Sequence, residues 1–225
     1  MPAPVISEPR RRSDAARNRA AIIEAARLSF GQRGLDAPLD EIARRAGVGN
    51  ATLYRHFPSR CAIVAAVFAE TLGEVGDAAS DALANPDPWQ GFAGHVRFLC
   101  RLQATDCGLA DLLTTTISGA PPLEELRARA YADFVRIVDR AKASGELRAD
   151  FEPEDLVLLL MANAGLIHRT TTDAPAASNR LVSYTLDGLH ARPLYARPGD
   201  DAPPSPGADA LQRAMEEQAT LFGCS

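Results

Sequence analysis

A chain of 225 residues is long enough to bury more than one hydrophobic core, so it needs neither disulfide nor metal staples. Its four cysteines (Cys61, Cys100, Cys107, Cys224) form no paired framework and no C-x-x-C, which excludes a disulfide-rich secreted class and fits a reduced cytoplasmic protein. The formal net charge of −5 would count against a nucleic-acid partner if it were evenly spread, and it is not.

Residues 10–60 hold eleven arginines (10, 11, 12, 17, 19, 27, 33, 44, 45, 55 and 60) against five acids (14, 24, 36, 40 and 41), a surplus of six positive charges. The other residues carry 13 basic and 24 acidic groups, so a basic head precedes an acidic body. The opening "MPAPVISEPRRRSD" has no apolar core, and its arginines follow the weakly apolar part, unlike a secretory signal. The longest apolar run, "LVLLLMANAGLI" from Leu156 to Ile167, is shorter than the roughly 20 residues a bilayer needs and contains Asn163. A buried helix is expected there, and no membrane partner.

In chain order, residues 1–12 form a basic arm, expected to be disordered. Ser13 caps a first helix carrying Ile22, Ile23, Ala26, Leu28 and Phe30, closed by Gly34. A second spans about Asp40 to Ala46, ended by Gly47. A third, from Asn50 to Phe57, stops because the residue before Pro58 is pushed out of the helical region. Ser59 caps a fourth, longer helix running towards Leu83. Beyond "NPDP" come three apolar stripes: Trp89, Phe92, Val96 and Leu99; then Leu109, Leu112, Leu113 and Ile117; then Leu123, Leu126, Phe134, Ile137 and Val138, closed by Gly145. Pro153 opens the apolar helix to about His168, and "DAPAA" leads into a last one with Leu181, Tyr184 and Leu189. "RPGDDAPPSPG" predicts a flexible linker, followed by a tail helix from Ala208 to Phe222 with Leu211, Met215 and Leu221. No alternating strand pattern competes, so the fold class is all-α. The expected units are 13–78 for the head, 79–193 for the body and 194–225 for linker and tail.

The third helix has room for about two turns, whereas isolated helices need roughly 12 to 15 residues to be marginal in water. At 100° per residue, Leu53 and Phe57 fall on one side and Ala51 and Arg55 on the other. Two apolar side chains anchor the stub and polar donors are presented outward, flanked by Thr52 and Tyr54. Preceded by a tight glycine turn, this is a helix-turn-helix arrangement suited to the major groove of double-stranded DNA.

"AAIIEAARLSFGQRG", "LDEIARRAGVGNATLYRHF" and "SRCAIVAAVF" together resemble the N-terminal domain of TetR-family transcriptional regulators over about Asn18 to Leu72. The resemblance implies a homodimeric one-component regulator whose divergent C-terminal helices bind a small effector and dimerise. It places Asn50, Ala51, Tyr54 and Arg55 at base-facing positions, and Thr52, Tyr54, His56 and Arg60 at phosphate-contacting ones. Arg55 can donate bidentately to guanine, worth about 1 to 3 kcal/mol of discrimination. Arg60 stands in the first turn of a helix, where a cation opposes the dipole, and so suggests a use outside its own helix. His56 lies beside Leu53 and suits a half-packed ring equally well. Leu39 departs from the threonine frequent in relatives, which puts one phosphate contact in doubt. Arg44 and Arg45 suit the helix end they occupy. Arg10 to Arg12 either reach phosphates or form a solvated run.

The effector is expected between the middle helices, among Trp89, Phe92, Val96, Leu99, Leu113, Ile117, Tyr131 and Phe134, with His95, Cys100, Thr114 or Asn163 as polar contacts. That wall suits a hydrophobic or amphipathic compound. A helix apolar nearly all round needs several buried sides. A second copy of the chain would supply one, and the resemblance puts the dimer interface on the last two helices, at Leu156, Leu159, Leu160, Ala164, Leu181, Tyr184 and Leu189. The leading expectation is a repressor that leaves a palindromic operator when an effector binds, with no cofactor and no metal. An all-α enzyme is the alternative from another class. It would need a nucleophile and base or a metal cluster, yet His56, His95, His168 and His190 show neither H-E-x-x-H nor E-x-x-H spacing. A redox sensor built on Cys100 and Cys107 is the third.

Overall fold

The computed structural model describes residues 8–117, 120–170, 173–191, 203 and 205–221. Among them the chain forms ten helices and no strand: α1 (Glu8–Arg33), α2 (Leu39–Arg45), α3 (Asn50–His56), α4 (Arg60–Ala84), α5 (Pro88–Thr105), α6 (Cys107–Leu113), α7 (Pro121–Ala143), α8 (Asp155–Thr170), α9 (Ala174–Leu189) and α10 (Ala208–Leu221). The all-α expectation holds.

Local chemistry accounts for most of the boundaries. The Ser59 hydroxyl accepts the Ala62 N–H at 3.2 Å and starts α4. The carboxylates of Asp87 and Asp106 accept the Gln90 and Leu109 N–H groups, each at 2.9 Å, and start α5 and α6. Gly47 has φ of +69°, a conformation that other L-residues adopt at a cost, and it turns the chain from α2 towards α3. One expected boundary moves. α1 begins at Glu8, so Ser13 lies inside the helix rather than at its cap, and residues 8–12 of the arm are helical. The earlier part of the arm lies outside the described residues, as do Phe222 and most of the linker.

The expected border at residue 78 falls within α4, which runs unbroken through 25 residues. Two clusters of buried side chains meet on it instead. The first joins α1, α2, α3 and α4 as far as Leu72, and also takes in Leu109 and Leu112 of α6, Ile117 and Leu123. The second begins at Val75 and fills the space between the rest of α4 and α5, α7, α8 and α9. The head is therefore closed partly by the body.

Three arginines stitch these layers by donating to backbone carbonyls at helix ends and in the α1–α2 loop, where those groups lack helical partners. Arg60 donates to the carbonyls of Leu35 and Ala37 at 2.6 and 2.7 Å, between α1 and α2. Arg127 donates to those of Leu112, at 2.8 Å, and Thr115, at the end of α6. Arg140 donates to those of Ala82, Leu83 and Asn85, at the end of α4. A buried amide network does the same for the body. Asn163 Nδ2 donates to Gln103 Oε1 at 2.8 Å and to the Cys100 carbonyl at 3.3 Å, while Gln103 Nε2 donates to the carbonyls of Ala110 and Leu160.

Candidate nucleic-acid interface and effector cavity

Leu53 is fully buried and Phe57 nearly so, and together they pin α3 against the head. Burying one such side chain contributes about 1.5 to 3 kcal/mol. Phe57 also lies under the Arg19 guanidinium, 5.1 Å from its ring centroid. The other side of α3 is free: Asn50, Ala51 and Arg55 are exposed, Tyr54 is 51% exposed, and Thr52 and His56 are half-buried. Arg55 donates to the Thr52 hydroxyl at 3.0 Å, which holds its guanidinium along the outer ridge. The helical-wheel assignment of anchors and presented groups is thus the observed one. Arg60 differs. Its half-buried guanidinium is occupied by two loop carbonyls, so the cation in the first turn of α4 has a structural use, which from the sequence was traced to phosphate alone.

Between α4, α5, α6, α7, α8 and α10 lies a cavity of about 570 Å³. Its wall is mostly apolar, as ligand sites of this size usually are. Six of the expected ligand contacts line it: His95, Leu99, Leu113, Ile117, Tyr131 and Phe134. Six do not. Trp89 and Phe92 point into an aromatic cluster with Phe134, Phe151 and His190, with Trp89 and His190 centroids 4.5 Å apart and perpendicular. Val96 is core, and Asn163 and Cys100 belong to the amide network. Thr114 bonds back to the Ala110 carbonyl and faces a second, smaller cavity. Correct helix assignment left the angular position of each side chain open by a few tens of degrees, enough to turn it from wall to core.

The residues expected at the dimer interface differ in how far their own chain buries them. Leu160 and Ala164 are buried in their own chain, and Leu156 lines the cavity beside Leu160. Leu159 and Leu189 are half-buried against the second core cluster, and Leu181 is half-buried. Tyr184 alone of the set is well exposed, at 61%, with the Arg180 guanidinium over its ring. The outer face of α8 and α9 instead presents Leu158, Ala162 and Gly165 at helical spacing beside Tyr184 and Gly188.

His95 is a buried polar group of the cavity wall. Burial pulls its pKa down to about 4, against smaller upward influences from the Ala78 carbonyl and Asp133, so the ring is neutral at pH 7. Its Nδ1 is buried without a hydrogen-bond partner. At the opposite edge the Tyr131 hydroxyl donates to Glu154 at 2.8 Å.

Nothing in the residue pattern marks α6 as the element that joins cavity and head. Leu112 and Leu113 stand in the cavity wall, while Asp111, beside them, accepts the Leu35 N–H at 2.8 Å just beyond α1 and meets His168 of α8 at 3.0 Å. Burial raises the Asp111 pKa above its ordinary value, opposed by the Leu35 N–H and His168. Gly108 lets α6 approach α1 closely: a Cβ there would lie 2.8 Å from the Cβ of Phe30. Both thiols of the redox alternative are unfavourably placed. Burial pushes Cys100 up to about 12, and burial with Asp111 and Asp106 raises Cys107, so neither is poised as a thiolate. Among the described residues no helix is long and apolar enough to cross a membrane.

The comparisons with known proteins agree with this geometry. The family model for bacterial regulatory proteins of the tetR family matches residues 22–67. The model for the C-terminal domain of SbtR-like transcriptional regulators matches residues 87–191. No curated protein sequence matches the chain. Among solved structures, a TetR transcriptional regulator from Streptomyces coelicolor is 30% identical, with TM-score 0.50, covering 77% of this chain and 98% of that one. A TetR regulator from Mycobacterium vanbaalenii is 34% identical, with TM-score 0.46, over 80% and 98%. The regulator FadR from Bacillus subtilis, solved with stearoyl-CoA, shares the fold at 20% identity and TM-score 0.55, over 76% and 99%. With a helix-turn-helix head and a helical body both matched over more than half its length, the chain belongs to the TetR family of bacterial DNA-binding transcriptional regulators.

Proposed function

We propose that this regulator is a homodimeric repressor that leaves a palindromic operator when a small, mostly apolar effector fills the cavity. The observation that carries the proposal is α6, whose Leu112 and Leu113 line the cavity while its Asp111 holds the end of α1. α4 offers a second connection, because Leu72 and Val75 line the cavity on the same helix whose earlier turns pack in the head. A ligand that spreads these walls favours a different spacing of the two heads, and its differential affinity for the two spacings sets how far binding shifts them.

In this scheme Asn50, Ala51, Tyr54 and Arg55 meet base edges, and Thr52, Tyr54 and His56 meet phosphates. Arg60 serves mainly the α1–α2 loop. Two chains pair through the outer faces of α8 and α9, around Leu158, Leu181 and Tyr184, so that two α3 helices reach half-sites about 34 to 36 Å apart. The effector is uncharged and carries a hydroxyl that donates to Nδ1 of His95. Support comes from a neutral, buried ring with an unpartnered nitrogen in a mostly apolar wall.

Selection of bound DNA from a random pool, followed by a screen for compounds that release it, tests the scheme. A palindromic site is expected whose affinity falls by about 0.9 logarithmic units per phosphate neutralised for each tenfold rise in salt. Retention of the operator at saturating concentrations of every cavity ligand would rule out effector release. For the effector chemistry, 1-naphthol should bind more tightly than naphthalene. His95→Phe should abolish that preference and His95→Gln retain it.

A further inference from the structure

Helix α10 lies beyond residue 191, where the matched family region ends. It nevertheless forms part of the cavity wall. Leu211 and Met215, at i and i+4, are 6% and 8% exposed and line the cavity together with Ala208 and Gln212. Ala219 continues the same face, and the opposite one carries exposed Arg213, Glu216 and Glu217. The Thr116 N–H donates to the Met215 carbonyl at 3.3 Å, which ties α10 to the segment leaving α6.

The attachment differs in kind from those of the other walls. Leu99, Leu112 and Phe134 belong to the two core clusters, whereas neither Leu211 nor Met215 belongs to either. A 14-residue helix is marginal alone, so α10 depends on the face it covers. Its covalent tether keeps it at high effective concentration over that face, so even a weak contact keeps it docked without making it permanent.

We propose that α10 is a removable wall of the effector cavity, and that Leu211 and Met215 set how long a ligand the cavity accepts. The proposal rests on the cavity being the effector site. Ligand enters and leaves as α10 lifts, and is retained while α10 is down. The helix adds this selectivity to a body whose remaining walls come from the shared family fold.

The full-length protein, titrated with the neutral fluorophore N-phenyl-1-naphthylamine and then with straight-chain alcohols from hexanol to tetradecanol as competitors, tests this. Met215→Ala should move the preferred alcohol to a longer chain by opening the end of the cavity, an effect that a purely structural role would not produce. Replacing both residues with glutamate (L211E with M215E) should detach α10 and raise the dissociation rate of the fluorophore roughly tenfold. The variant should still unfold in one cooperative transition, at a lower temperature because the buried face of α10 is lost. Leu99→Trp, on the α5 wall, should block the fluorophore and serves as the control. If Leu99→Trp blocks binding while the tail variants keep wild-type rates and chain-length preference, the tail proposal fails and the cavity assignment stands. If the wild-type protein does not take up the fluorophore, or Leu99→Trp leaves uptake unchanged, both fail.

Discussion

Helices α3 and α6 are each seven residues long, too short to persist alone, and opposite solutions hold them in place. α3 buries Leu53 and turns Asn50, Ala51, Tyr54 and Arg55 to water. α6 buries Gly108, Leu109, Ala110, Asp111 and Leu112, with α1 on one side and the cavity on another. A stub anchored along one edge is suited to meeting a partner outside the molecule. A stub enclosed on several sides is suited to relaying displacement through it, because a close-packed interior transmits strain.

Substitutions can sharpen or break that contrast. The largest effect is expected at the more deeply buried of the two anchors of α3: Leu53→Ala should cost about 2 to 5 kcal/mol in urea unfolding and abolish operator binding. Next comes a pH effect from the cavity. The folded-state pKa of His95 is lowered from 6.5 to about 4, so the unfolded chain binds the proton more readily. Its neutral form is fully accommodated above pH 6.5, and about 3 kcal/mol of stability should be lost as pH falls from 6.5 to 4. Unfolding measured across that range should show a flatter slope in His95→Phe. On α6, Gly108→Ala should cost about 1 to 3 kcal/mol, because the new methyl group overlaps Phe30. The smallest effect on stability is expected at Arg55→Ala, within about 0.5 kcal/mol. That variant should still lose about 1 to 3 kcal/mol of discrimination at one base pair, measured as the difference in affinity between operator and a singly substituted duplex. If Gly108→Ala proved as harmless as Arg55→Ala, α6 would not be the enclosed element described here.

The head was almost entirely legible because its instructions are local. Gly47, Leu53, Phe57 and Ser59 lie within thirteen residues of one another, and each acts on its own helix or the next. Arg60 marks the limit of that legibility. Its position in the first turn of α4 was recognisably unusual, but its partners, Leu35 and Ala37, lie more than twenty residues away and are carbonyls, which leave no trace in side-chain patterns. In the body, periodicity identified the helices but not which flank of each faces the cavity. Trp89 and Leu99 share one stripe of α5, yet Trp89 packs on His190 and Leu99 lines the cavity. The tail's Leu211 and Met215 were seen as one apolar face, without any indication of what that face covers.

The amino-acid order by itself determined the helices, their caps and turns, the basic head and the outward ridge of α3. Hydrogen bonding and periodicity act over a few residues, and those are written consecutively. Tertiary packing decided that the head closes partly on the body, that α6 serves the head as well as the cavity, and that α10 helps to wall it. Those outcomes depend on which apolar faces meet across long stretches of chain, where many pairings bury similar area and only the assembled shape selects one.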